Sequence, residues 1–175
     1  MPVQTSDTGD EVLRMMQVYH VRHLPIVNHV QLLGVVSEED VLIHDTDEAV
    51  GTYRLSFLRP FCFRDDHLFE VMAKMGRFKL TIIPVIDKDE TYLGVITMED
   101  LLQYFASYFS FADAGSILVI ETSRSHYSLA EIARIAEAED INILSSFVQS
   151  IPDTQRINIT LKLTRQDILS LNASL

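Results

Sequence analysis

The sequence predicts an α+β protein: two pseudo-symmetric β-α-β-β-α units followed by a partial ferredoxin-like domain. Three observations lead there. First, the chain repeats itself. Leu24-Pro25-Ile26-Val27, then Leu33-Gly34-Val35-Val36-Ser37-Glu38-Glu39-Asp40, returns as Ile83-Pro84-Val85-Ile86, then Leu93-Gly94-Val95-Ile96-Thr97-Met98-Glu99-Asp100. Second, Ile82, Ile83, Val85 and Ile86 form one apolar run, as in a strand covered on both faces. Third, beyond Gly115 the repeated pattern stops and a strand-helix-strand-strand order takes over.

The elements follow in order. Thr8 and Glu11 have the spacing of a capping box, ahead of a helix with Val12, Met16 and Tyr19 on one face. Residues 21–27 and 32–36 read as strands around a turn, and Ser37 starts the next helix. Residues 45–52 are a polar connector. The second copy enters through Arg59-Pro60 and a short strand at residues 61–63. Its helix is expected from about Asp66 to Met75, capped by Gly76. Strands at 80–87 and 91–96 precede a helix from Met98 to about Phe109. Asp7, Glu11, Val12 and Met16 recur as Asp66, Glu70, Val71 and Met75, an offset of 59. Each copy is too short to bury its apolar surface alone, so the copies should pack face to face around a ligand-sized cleft.

Residues 110–115 read as a linker. A strand at 117–120 leads to Ser128 and Glu131, a second capping box, and a helix with Leu129, Ile132, Ile135 and Ala136 inward. Strands at 143–148 and 157–163 flank a Pro152-Asp153 turn, and Thr164 caps a further helix at Ile168. That is a split βαβ unit lacking its last strand. The expected domains are therefore 1–52, 53–112 and 116–175, with both ends reading as cut.

Composition narrows the function. Fourteen Lys+Arg against 25 Asp+Glu give a net charge of −11, which repels nucleic-acid phosphates and anionic membranes. Cys62 stands alone, so neither an internal disulfide nor a Cys-based zinc site can form, and a reducing cytoplasm is expected. No signal peptide or 18-residue apolar run is read. The six glycines fit neither a P-loop nor a dinucleotide loop, and no Gly-x-Ser-x-Gly or His-Glu-x-x-His occurs. No catalytic residue or metal ligand is nominated; His20-x-x-His23 has too few partners.

Ser37-x-x-Asp40 and Thr97-x-x-Asp100 each follow a strand and open a helix. They fit plain helix capping. They equally fit ribose recognition, in which the carboxylate accepts from both sugar hydroxyls and the Ser or Thr hydroxyl faces ribose or phosphate oxygens.

With these motifs present twice and in order, residues 1–109 resemble a tandem pair of CBS domains, a Bateman module, and residues 116–175 resemble the start of an ACT domain. The combination is similar to acetoin-utilisation CBS–ACT proteins of the AcuB type. The resemblance implies a regulatory protein binding an adenosine compound. By it, adenine would lie beside His23, Leu24, Pro25, Ile82, Ile83 and Pro84. Asp40 and Asp100 would hold ribose, with Ser37 and Thr97 beside it. Val3, Thr5 and Phe61 would line the pockets, and Arg22, Arg77 and Lys79 would reach phosphate. Glu38 and Glu39 oppose a polyphosphate, so AMP, ADP or S-adenosylmethionine is favoured over ATP, with no other cofactor. The ACT-like turn, Arg124-Ser125-His126-Tyr127-Ser128, lacks the glycine of amino-acid-binding members, so relay or dimerisation is favoured there. Tyr104, Phe105, Tyr108, Phe109 and Phe111 are read as inter-domain or homodimer packing. The alternative is a structural module with empty clefts.

Overall fold

The computed structural model describes residues 2–56 and 59–168. Two compact units emerge, Met1–Leu102 and Gln103–Leu175. Among the described residues no helix is long and apolar enough to cross a membrane.

Unit 1 shows its duplication in three dimensions. The first half contains α1 (Gly9–Tyr19), the antiparallel pair β1 (His23–Asn28) and β2 (Gln31–Ser37), and the short α2 (Glu38–Leu42). The second contains β3 (Cys62–Phe63), α3 (Leu68–Phe78), β4 (Ile82–Ile86), β5 (Tyr92–Thr97) and α4 (Met98–Tyr108), whose last residues fall in the other unit. Val3 bridges Ile26 in parallel as Cys62 pairs with Val85, the same positions 59 residues on. The β-bulges match too, at Ile26/Val27 and Val85/Ile86.

Local chemistry explains the helices. Thr8 and Glu11 form the expected reciprocal box, with Thr8 N–H to Glu11 Oε2 at 2.8 Å. The expected stop at Gly76 is corrected: α3 runs through it to Phe78, and Lys79 takes the left-handed conformation (φ 52°). His20, 59 residues earlier, ends α1 the same way (φ 53°). In both cases the next N–H reaches back five residues, Val21 to Met16 and Leu80 to Met75, and the residue that makes it is buried. This is a Schellman turn, in which burying the apolar follower offsets the cost of placing a non-glycine there.

Neither half closes its own core. Ile82 packs in the first half's cluster with Val3, Leu24, Val35 and Val41. Val27 and Leu32 cluster with Ile86, flanked by Phe61 and Tyr92. The Tyr92 N–H donates to Val30 O at 2.7 Å, tying hairpin to hairpin.

Unit 2 holds β6 (Ser116–Ser123), α5 (Leu129–Ala138), β7 (Ile143–Ser150) and β8 (Arg156–Leu163) in an antiparallel sheet ordered β6-β8-β7, the split βαβ arrangement. Leu118, Ile157, Ile159, Leu161 and Leu163 meet Ile132 and Ala136. Two expectations are corrected. Leu129 is exposed, and only half of the capping box forms. Ser128 Oγ accepts the Glu131 N–H at 3.2 Å, but the Glu131 carboxylate turns to Arg134. Thr164 is a bend, with no helix through residue 168; a helix opening at Ile168 would lie outside the described residues. Phe105, Phe109 and Phe111 gather on Phe147, so part of the aromatic run is satisfied within unit 2.

Gly115 precedes β6 at φ 152°, where a Cβ would lie 1.9 Å from the Leu163 carbonyl oxygen. Gly115→Ala is expected to lower stability by about 1–3 kcal/mol from backbone strain alone, read as a fall in the urea midpoint.

Candidate functional site

Each half of unit 1 turns from strand to helix at a hydroxyl residue three positions before an aspartate. In the first, Asp40 N–H donates to Ser37 Oγ and Asp40 Oδ2 accepts from Ser37 N–H, both at 3.0 Å. In the second, Asp100 N–H donates to Thr97 Oγ1 at 3.0 Å, and Asp100 Oδ2 accepts from the Thr97 N–H at 2.9 Å and its hydroxyl at 2.6 Å. Both corners are capped from within. There the likeness ends. Asp40 is fully buried, and its Oδ1 accepts from the N–H and hydroxyl of Ser56, a connector residue. Asp100 is exposed, and its Oδ1 takes no hydrogen bond from the described residues.

Both groups stay ionised at neutral pH. Burial alone would raise the Asp40 carboxyl, but hydrogen bonds from Ser56 and Ser37 outweigh it and hold it below the ordinary 3.8. The Thr97 hydroxyl, then its amide, lower Asp100. Cys62 is the opposite case: burial pushes its thiol up to about 11, so it is no nucleophile.

Ser56 lies on the wall shared by two hollows. One, of about 260 Å³, is lined by Arg22, His23, Ser37, Glu38 and Glu39 from the first half and Phe78, Lys79 and Thr81 from the second. The other, of about 720 Å³, is lined by Arg59, Pro60, Phe61, Phe63, Lys74, Arg77, Phe78 and Ile83. Its cations differ in availability. Arg59 pairs with Glu90 at 2.9 Å and covers the Phe61 ring, and Lys74 pairs with Asp66 at 2.7 Å. Arg77 lies over Phe78 with no carboxylate partner among the described residues. In the smaller hollow Arg22 is engaged by Glu38 at 2.9 Å and Glu39 at 4.0 Å.

The halves meet here as well. Arg22 and Thr81 occupy one repeat position, 59 residues apart, and the Arg22 N–H donates to Thr81 Oγ1 at 2.9 Å. His23 Nδ1 accepts the Thr81 N–H at 3.2 Å and lies 3.0 Å from the Thr81 hydroxyl. Nδ1 is therefore unprotonated, with the hydrogen on Nε2. Burial, then Arg22, lower the His23 pKa below 6.5, while Asp40, Glu39 and Glu38 pull it up.

Of the residues read from sequence, Arg22, His23, Ser37 and Lys79 line the smaller hollow, and Phe61, Arg77 and Ile83 the larger. Val3, Leu24 and Ile82 have core side chains. Pro25 and Pro84 are buried in β1 and β4, Thr5 is exposed, and Thr97 and Asp100 line neither hollow. Sequence reasoning missed Ser56, Arg59, Lys74, Phe78 and Thr81. The repeat could have found Thr81, which is the counterpart of Arg22; Ser56 has no counterpart in the first half.

The family comparison matches the CBS domain at residues 1–46 and 59–107. The chain belongs to the CBS-domain family. Its two CBS repeats resemble part of a homoserine O-acetyltransferase from Methanohalobium evestigatum, 32% identical over 98 residues (53% of this chain, 19% of that protein). They also resemble part of an inosine-5'-monophosphate dehydrogenase from Methanocaldococcus jannaschii, 27% identical over 104 residues (58% and 21%). The chain thus spans about a fifth of the length of these relatives. Among solved structures, a CBS domain pair/ACT domain protein from Thermotoga maritima superposes with a TM-score of 0.54 at 23% identity, covering 61% of this chain and 88% of that one. CBSX2 in complex with AMP gives 0.52 at 22%, covering 61% and 87%. The family match ends at residue 107; unit 2 is described by its three-stranded sheet, with a fourth strand absent among the described residues.

Protonating His23 would set a donor against the Thr81 N–H. Its folded-state pKa is depressed, so its contribution is complete above pH 6.5 and lost as pH falls below it. Asn supplies a non-titrating acceptor. Between about pH 7 and about pH 5, the urea midpoint of His23→Asn should fall less than that of wild type, whereas equal slopes would contradict this latch.

Proposed function

We propose that this protein is a regulatory sensor that binds an adenosine-containing metabolite in the cleft of its CBS pair, its ACT-like unit relaying the bound state or joining two copies. The observation that carries the reading is the hollow of about 720 Å³, with Phe61, Phe63, Phe78 and Ile83 for a base and Arg59, Lys74 and Arg77 for a phosphate. The exposed Asp100 carboxylate, outside the lining of that hollow and with one oxygen unclaimed by the described residues, offers a ribose diol an open seat at the second corner. Three cations at the hollow favour AMP or ADP, with S-adenosylmethionine next. ATP ranks last, because two of the cations are half-neutralised and Glu38 and Glu39 face the neighbouring space. The AMP complex of CBSX2 shows that a protein of this fold holds such a ligand. Binding regulates only as far as the ligand discriminates between two arrangements of the repeats. The chain's place is regulatory rather than catalytic, in a cytoplasmic setting.

A second reading, an assembly module with unoccupied clefts, draws on Asp40, whose carboxylate is already satisfied by the protein. Titration calorimetry with AMP, ADP, ATP and S-adenosylmethionine separates the two. Sensing predicts saturable binding of AMP or ADP, weakened about tenfold or more by Asp100→Ala, which removes charge-assisted bonds worth about 1.5–3 kcal/mol. Tight binding of ATP alone would overturn the ranking; heat from none of the four would favour the assembly module.

A further inference from the structure

We infer that Ser56 is a built-in competitor for the sugar seat at Asp40, so that the first CBS site opens only when a ligand displaces Ser56. This rests on the adenosine reading above. The two corners are built alike up to the first carboxylate oxygen, which in each accepts the N–H of its own capping residue. They differ at the second. Asp40 Oδ1 receives two donors from a single residue, the amide and hydroxyl of Ser56, while Asp100 Oδ1 receives none from the described residues. Two adjacent donors converging on one carboxylate are what the vicinal hydroxyls of a ribose offer. Ser56 thus satisfies Asp40 with as many hydrogen bonds as a ribose diol would bring, one from an amide and one from a hydroxyl.

Position supports chemistry. Asp40 is fully buried, yet Ser56 itself is exposed, so the cover over the carboxylate is a surface residue whose own side chain fills no core. Ser56 also lines both hollows, and its departure would join the aromatic chamber to the smaller one containing His23 and Ser37. A nucleoside spans such a joined groove, with its base among Phe61 and Phe78 and its sugar on Asp40. The repeats then hold one open corner, at Asp100, and one latched corner, at Asp40.

Calorimetric titration of the full chain with AMP tests this on wild type, Asp100→Ala, and two double variants that add Ser56→Ala or Ser56→Thr to Asp100→Ala. The Ser56→Ala change deletes one of the two competing donors; Ser56→Thr keeps it. The expected result is AMP binding in wild type, its loss in Asp100→Ala, and its return in the double variant with Ser56→Ala, at an affinity at least about tenfold above that of the double variant with Ser56→Thr. If the two double variants bind AMP equally, or neither binds while wild type does, Ser56 is merely structural and the inference falls alone. If no chain binds AMP, ADP or S-adenosylmethionine, the adenosine reading falls and takes this one with it. Urea midpoints without ligand supply the check on folding. The double variant with Ser56→Ala should unfold earlier than the one with Ser56→Thr while binding more tightly, an opposition that simple damage would not produce.

Discussion

The structure of unit 1 depends on one constraint: neither repeat is a finished domain. Ile82 of the second half completes the core of the first, and Ile86 shares a cluster with Val27 and Leu32. At the pseudo-symmetry position the residues that meet are one repeat position seen twice, Arg22 and Thr81, with His23 added on one side only. A chain this short gains enough apolar burial only by pairing its halves. The same pairing brings the strand-to-helix corners and the ends of α1 and α3 close to one another. The cleft is therefore a by-product of how the core is closed, and any ligand in it acts on the joint that holds the unit together.

Duplication followed by divergence explains the electrostatics. Both halves keep the capping aspartate, since it serves the backbone whatever else it does. Around it they have drifted apart. The first corner carries Glu38 and Glu39, which neutralise Arg22, and a buried carboxylate. The second has Met98 and Glu99 and an open carboxylate. The cations collect instead around the aromatic hollow, so two similar corners sit in dissimilar fields.

How much of this was legible depends on which force fixed each element. The strands and hairpins could be read because alternation and the 59-residue offset report core packing directly. Gly76 misled because glycine is the usual residue at a helix stop, yet the repeat itself held the answer: Gly76 aligns with Gln17, inside α1, and Lys79 with His20, which ends it. Glu131 misled for a different reason, since an Arg one turn on competes for the same carboxylate. The candidate site was half legible. The Ser/Thr-x-x-Asp corners stood out because they occur twice. Ser56 gave no signal, because its role is a contact across 16 residues made by a connector that has no copy.

The lone sulfur atom of the cysteine complement adds a practical property. Cys62 lies in β3, wholly screened from solvent and held in its unreactive thiol form. A soluble alkylating reagent has nowhere to attack until that short strand peels from β4, so the rate of modification clocks the opening of unit 1 itself. The molecule thus carries its own single-point stopwatch, placed beside the aromatic chamber and blind to events in the other unit.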